Sequence, residues 1–400
     1  MLGAKKLFSN VPSAEQTPMY RDYTKFALAT LVIFLAAVIL VNLIVDPYRI
    51  YPKISRFELE KSFSLFHHMR LHNAYAIEQV RPQHLIVGSS RSGVLSSQEM
   101  EAARGRAFNA SMPGASLVEI KRAVEHAHAT MPLESVIVGL DFNYMFQPTQ
   151  IQIEAEDRWR KVNGNLSDKV RHSYQRFKDH WSSLLSVDST INSSLALSDD
   201  GSSPFRFYED GTWEIASTWS ANRLYAVLAK QIFNDFRAHS DHFNTKELVK
   251  LLNFTDTNGV QVTLLISPMH GLLLQTIYLA GKWQQYLQWH RELVALVSGR
   301  NIAVAIYGLE DNALMVLGAI DAEDSAFVDG VHYKRKAGIE IVSCLVAPCI
   351  SPLRPTRLDP QSIGLYLEQI DALRVRYVME NPAATAKLRK WLGFKPRSVK

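Results

Sequence analysis

Residues 26–45 read FALATLVIFLAAVILVNLIV, twenty in succession without a charge. Only Thr30 and Asn42 among them are clearly polar. At about 1.5 Å per residue an α-helix of this length covers roughly 30 Å, the thickness of a bilayer's hydrocarbon core. A helix inside a soluble domain is seldom apolar on every face for so long. The segment therefore predicts one membrane-spanning helix, and no other stretch of the sequence matches it. A cleaved signal peptide has a shorter apolar core, roughly 7–15 residues, that ends at a small-x-small site. Here the run passes straight into Asn42-Leu43-Ile44-Val45-Asp46-Pro47, which reads as an uncleaved anchor. Lys5, Lys6, Arg21 and Lys25 precede it, and Arg49, Lys53, Arg56 and Lys61 come after it. Flanks this balanced leave the orientation open under the positive-inside rule.

Beyond the anchor the composition is globular: 47% of the 400 residues are hydrophobic and 21% charged. The net charge of +5 is mild and its basic residues form no long block. Nucleic acid is therefore not an expected partner. The two cysteines, Cys344 and Cys349, match no zinc or redox spacing. They read equally as a small-loop disulfide or as two partly buried thiols. No HExxH, P-loop or GxGxxG occurs, so no metal or nucleotide cofactor is expected.

From residue 84 onward short apolar strands alternate with helical stretches over much of the chain. HLIV (84–87), a short strand at 107–109, SVIVGL (135–140), VQVTLLI (260–266) and IAVAI (302–306) read as strands. Helical patterns lie at 57–80, 116–129 and 278–297. Continuous apolar strands between helices predict an α/β fold, a mostly parallel sheet covered on both faces. The expected organisation is a tail over residues 1–25, the membrane helix at 26–45, and a linker and helix over 46–80. An α/β domain over 81–350 comes next, with a helical insertion at about 150–253 placed as a lid or partner surface. Residues 351–400 are expected to form a C-terminal helical and basic tail.

Four local elements carry chemistry. Leu85-Ile86-Val87-Gly88-Ser89-Ser90-Arg91 is a strand entering a small-residue turn, the place where parallel sheets hold their ligands. Phe327-Val328-Asp329-Gly330-Val331-His332 sets a carboxylate three residues before an imidazole, so that Asp329 can fix the tautomer with which His332 takes a serine proton. Asn109 to Ser116 turns at Gly114, and Val138 to Asn143 ends the strongest strand. The Gly114 N–H and the Asn143 side chain are the expected oxyanion donors. His270, in Ser267-Pro268-Met269-His270, also lies just after a strand and could line the same mouth.

In this order the four elements resemble the SGNH hydrolase superfamily, over roughly residues 81–347. The resemblance implies a flavodoxin-like three-layer sandwich and a triad of Ser90, Asp329 and His332, with Gly114 in the second block. The GSS turn and the late DGVHY look most like membrane-anchored relatives, the alginate O-acetyltransferase group and the D-alanyl-transfer protein of teichoic acid modification. That likeness implies a single-pass protein of the cytoplasmic membrane with its main domain outside. It implies an esterase or O-acyltransferase of a surface polysaccharide or glycan, with a multi-pass membrane acyltransferase as a possible acyl source. Two departures stand out. Ser89 replaces the usual Asp of the first block, which leaves open which serine attacks. Asp141 stands where the third block has Asn, so Asn143 could substitute as donor, or Asp141 could orient Arg91. The alternative reading is a non-catalytic domain of this kind that binds glycan or scaffolds an envelope assembly.

Overall fold

The computed structural model describes residues 17–54, 63–142, 156–198, 203–215, 221–238, 245–300, 304–318 and 325–394. Its centre is a six-stranded sheet whose inner strands are largely apolar segments. The strands are β1 (His84–Val87), β2 (Ala107–Asn109), β3 (Ser135–Leu140), β6 (Gln261–Ile266), β7 (Val304–Gly308) and β8 (Thr356–Leu358), in spatial order β2-β1-β3-β6-β7-β8. All neighbours pair in parallel except β7 with β8, which is antiparallel. A separate two-stranded hairpin joins β4 (Phe205–Phe207) to β5 (Trp213–Ile215). Successive strand side chains point to opposite faces. Leu85, Val87, Val136, Val138, Val262 and Leu264 accordingly share one core with Ile77, Ile120, Leu251 and Leu274 from flanking helices. Ile86, Ile137 and Leu265 face a second core with Met100, Met315 and Ile341. Both faces of the sheet are thus covered by helices, which is why the inner strands are largely apolar on both sides.

The parallel strands, taken in chain order, run 2-1-3-4-5 across the sheet. The connections reverse direction between β1 and β3, and a crevice opens there beyond the carboxyl ends. Two glycines let those strands approach. A Cβ on Gly88 or on Gly139 would stand 2.2 or 1.8 Å from the Ser92 hydroxyl that lies between them.

The N-terminal helix spans Thr17–Val45, and its 26 residues Tyr20–Val45 are long and apolar enough to cross a membrane. Most of its described length makes no contact with the domain, which it joins through its last turns. There Asn42, 1% exposed, donates to the Leu184 carbonyl at 2.9 Å and to the Ser189 and Thr190 hydroxyls, and accepts from the Ser193 hydroxyl at 2.8 Å. Thr30 satisfies itself within the helix, on the Phe26 carbonyl.

Several elements differ from the sequence expectation. The helical stretch at 278–297 is two helices, Gly271–Leu279 and Trp283–Val297, because Gly281 takes a φ of +77° and turns the chain. The insertion contains the β4–β5 hairpin as well as helices; its strands are three residues long, too short to show an alternation. The helix Lys246–Asn258 belongs to the crossover between β3 and β6 and packs on the sheet through Leu248, Leu251 and Leu252. Residues 351–394 are built into the fold: β8 edges the sheet, and the helices Ile363–Glu380 and Pro382–Trp391 bury Ile370, Tyr377 and Leu388 in the larger core. Cys344 and Cys349 form a disulfide across a Cα–Cα separation of 5.0 Å.

Candidate functional site

The turn after β1 is wound tightly: the Ser92 N–H reaches the Ser89 carbonyl at 3.1 Å and the Gly93 N–H reaches that of Ser90 at 3.3 Å. Asn109, at the end of β2, braces it by donating to the carbonyls of Ser92 at 2.9 Å and Leu95 at 2.8 Å. Trp213 of β5 lies beneath it; a Cβ on Gly93 would fall 2.4 Å from the indole. The adjacent serines are thereby held in different surroundings. Ser89 is buried and donates to Asp141 at 2.5 Å, while accepting from the Arg91 N–H at 3.1 Å. The Ser90 hydroxyl instead reaches outward to His332 Nε2 at 2.9 Å.

The loop carrying His332 is closed by its own backbone. Val328 donates to the His332 carbonyl at 2.8 Å and Lys334 to that of Ala326 at 2.7 Å, with Phe327 and Tyr333 buried as anchors. Asp329 caps the turn from inside: Oδ1 accepts the N–H groups of Val331 and His332, both at 2.7 Å. Its Oδ2 lies 2.9 Å from His332 Nδ1. Burial alone would raise the Asp329 carboxyl. The charge of His332, the ring hydrogen bond and the two backbone donors outweigh it and hold the group below the usual carboxylate range. An ionised carboxylate only accepts, so Nδ1 carries the ring proton and the lone pair of Nε2 faces Ser90. The arrangement can take a proton from Ser90 and stabilise the imidazolium that results.

Ser90 opens on a recess of about 130 Å³ that Gly114 and Val331 also line. Its deeper wall is apolar: Phe142, Met269, Leu273 and Ile277 from the core, with Ile232 and Phe236 from the insertion helix Ala221–Ala238. Gly114 is exposed, with a φ of +60° that favours glycine. Its loop is fixed by the Ser116–Glu119 capping box and by Arg70, which donates to Glu119 and to the Pro113 carbonyl.

Two further residues expected at the site have other duties. Arg91 borders the recess, but its guanidinium donates to Asp141 Oδ1 at 2.9 Å, to the Ser267 carbonyl at 3.0 Å and to the Pro268 carbonyl. It ties together the ends of β1, β3 and β6, with Asp141 as its counter-ion and an acceptor for Ser89. His270 does not reach the recess: it is 1% exposed, and Nε2 faces the Gly318 carbonyl while Nδ1 accepts the Leu272 N–H as a helix cap. Burial holds it neutral, down to about 4. Asn143 lies outside the described residues.

Sequence reasoning missed the group behind the recess. Glu310, fully buried, accepts from the hydroxyls of Tyr286 and Tyr366 and lies 3.3 Å from His290 Nε2. Burial alone would raise Glu310, but His290 and the two hydroxyls hold it below its ordinary value. Tyr286 packs its ring on Phe142 at 5.1 Å, so the network stiffens the recess wall. Residues this far apart in sequence give no local signal. Among the described residues no group of three His, Cys, Asp or Glu side chains is disposed to hold a metal ion.

No protein-family model matches this chain, and no curated protein matches it significantly.

Proposed function

We propose that this protein is a membrane-anchored serine esterase or O-acyltransferase of the SGNH type that works through an acyl-enzyme on Ser90. The observation that carries the reading is the Ser90–His332–Asp329 relay, two contacts of 2.9 Å, at the mouth of an apolar recess. The Ser90 hydroxyl attacks the acyl carbonyl while its proton passes to His332 Nε2. The tetrahedral intermediate collapses as His332 returns that proton to the leaving oxygen, and the acyl group remains on Ser90. Water or a glycan hydroxyl then enters by the reverse sequence. The Gly114 N–H is the oxyanion donor on this reading. The strand order 2-1-3-4-5, with Ser90 at the switch between β1 and β3, supports the SGNH assignment.

The acceptor class is inferred from the anchor. A span at residues 20–45 keeps the site near a membrane, which suits a cell-envelope polysaccharide or glycan and a multi-pass membrane acyl donor. The Cys344–Cys349 disulfide supports an oxidising compartment, hence a domain outside the cytoplasm with the residues before the span inside. One observation favours the second reading, a non-catalytic glycan-binding domain. Asp141 takes the place of an oxyanion donor, yet is an acceptor held by Arg91 and Ser89. A fluorophosphonate probe separates the two readings: it labels wild type and spares Ser90→Ala if the acyl-enzyme forms, and leaves folded wild type unlabelled if the domain only binds.

A further inference from the structure

The helices Leu166–Leu185 and Val187–Ser198 are amphipathic in the opposite sense from a soluble surface helix. On the first, Leu166, Val170, Tyr174, Phe177 and Trp181 recur at spacings of three and four and are each 60–77% exposed. The polar side of that helix faces inward. Asp179 pairs with Arg158 at 2.7 Å, Arg176 with Glu78 at 2.7 Å, and His180 Nδ1 lies 2.7 Å from the Tyr51 hydroxyl. The second helix repeats the pattern. Val187, Ile191 and Leu195 are exposed, while Ser189, Asn192 and Ser193 are buried against Asn42 and Tyr48. Hydrophobic burial cannot explain this arrangement unless something apolar covers the outer face.

The membrane helix indicates what covers it. Asn42 sits three residues before the end of the span at Val45, about 4.5 Å along the helix axis. It bonds to Leu184, Ser189, Thr190 and Ser193, on either side of the junction between the two inverted helices. The junction is therefore tied to the last turn of the span, and the apolar stripes start from it. Their composition is that of an interface. Tyr174 and Trp181 are of the types that settle at headgroup level, and the exposed Lys169 and Lys178 flank them on stems long enough to reach phosphate.

We propose that this helix pair is a second membrane contact. Its outward apolar faces lie in the headgroup and upper acyl region of the same bilayer that the N-terminal helix crosses, and the polar inward faces carry the domain. The occupant is phospholipid, and the contact fixes the domain's tilt and height over the membrane. The inference rests on residues 20–45 spanning that membrane, and is independent of the chemistry at Ser90.

The test is a nitroxide scan of the full chain in phosphatidylethanolamine/phosphatidylglycerol vesicles. Single cysteines are placed in turn at positions 169–182 and at Ile191, with Val32→Cys as the reference for the span; the native pair Cys344 and Cys349 is closed. Collision rates are read with oxygen, which concentrates in lipid, and with a water-soluble nickel chelate. The expected result is two profiles of period 3.6 in opposite phase, with oxygen highest and nickel lowest at 170, 174, 177 and 181. Profiles that rise together at those positions mean an aqueous face and overturn the proposal. Profiles that are low together there mean a protein-covered face and also overturn it. A nickel-accessible label at Val32 would remove the span itself, and is distinguishable from failure of the stripe alone.

Discussion

Replacing Asp329 by Asn changes one atom at the foot of the relay. The amide oxygen can stay where Oδ1 is and keep both 2.7 Å bonds from Val331 and His332. The amide nitrogen then takes the Oδ2 position, 2.9 Å from His332 Nδ1. Two N–H donors cannot face each other, so the ring proton moves to Nε2 and points at Ser90. Nε2 then donates where it must accept. The imidazolium of the transition state also loses its counter-charge at a fully buried position. Loss of the tautomer-fixing carboxylate in such a relay costs about 10⁴ in kcat, or about 5 kcal/mol at roughly 1.4 kcal/mol per decade. The fold loses far less, about 1 kcal/mol, because both backbone bonds survive and the amide N–H donates to Nδ1 in place of the charged third bond. The assay is hydrolysis of p-nitrophenyl butyrate by wild type and Asp329→Asn in the same detergent, with Tm recorded beside it. A fall in kcat of under tenfold in a folded variant would mean that the carboxylate does not set the ring.

The recess and the buried histidines give further expected outcomes. A volume of about 130 Å³ is slightly below the roughly 150 Å³ cavity that holds a benzene ring, so it suits an acyl group of about five carbons. At about 0.8 kcal/mol per buried methylene, kcat/KM for p-nitrophenyl esters rises roughly fourfold per carbon from acetyl and then levels off. Phe236→Ala moves the plateau to longer chains; a flat series in wild type would contradict this. Burial holds His72 and His126 down to about 3 and His270 down to about 4, against roughly 6.5 in the unfolded chain. Depressed values mean that the unfolded state binds the extra protons, so this stability is complete above pH 6.5 and is lost as pH falls towards 4. Asp46, raised by burial to about 6, opposes the trend with one proton against three. Tm therefore declines steadily from pH 7 to pH 5, and a constant Tm over that range would count against the neutral, buried assignments.

The fold was legible in sequence where a segment's own pattern decides its state. The apolar run at 26–45 and strands such as SVIVGL owe little to their surroundings. The two candidate motifs are likewise local: Asp329 and His332 meet across one turn that their own backbone closes. What stayed hidden depends on distant partners. Nothing around Asn42 marks it as the attachment point for serines some 150 residues away. The strand-end position of His270 is real, but the helix cap turns its ring inward to Gly318. The pairing of Asp141 with Arg91 was one of the alternatives open from the sequence, but nothing there shows that the same carboxylate also accepts from Ser89. The C-terminal helices read as a basic tail because Lys387, Arg389 and Lys390 cluster near the end, while Tyr377 and Leu388, which bury them, are single residues set between charges.

On the proposed function Ser90, and not Ser89, carries the acyl group. Peptide mapping after fluorophosphonate treatment locates it. The expected result is one adduct, on Ser90, absent from Ser90→Ala and formed far more slowly in Asp329→Asn. An adduct that persists in Ser90→Ala and disappears in Ser89→Ala, or no adduct in folded wild type, would contradict it.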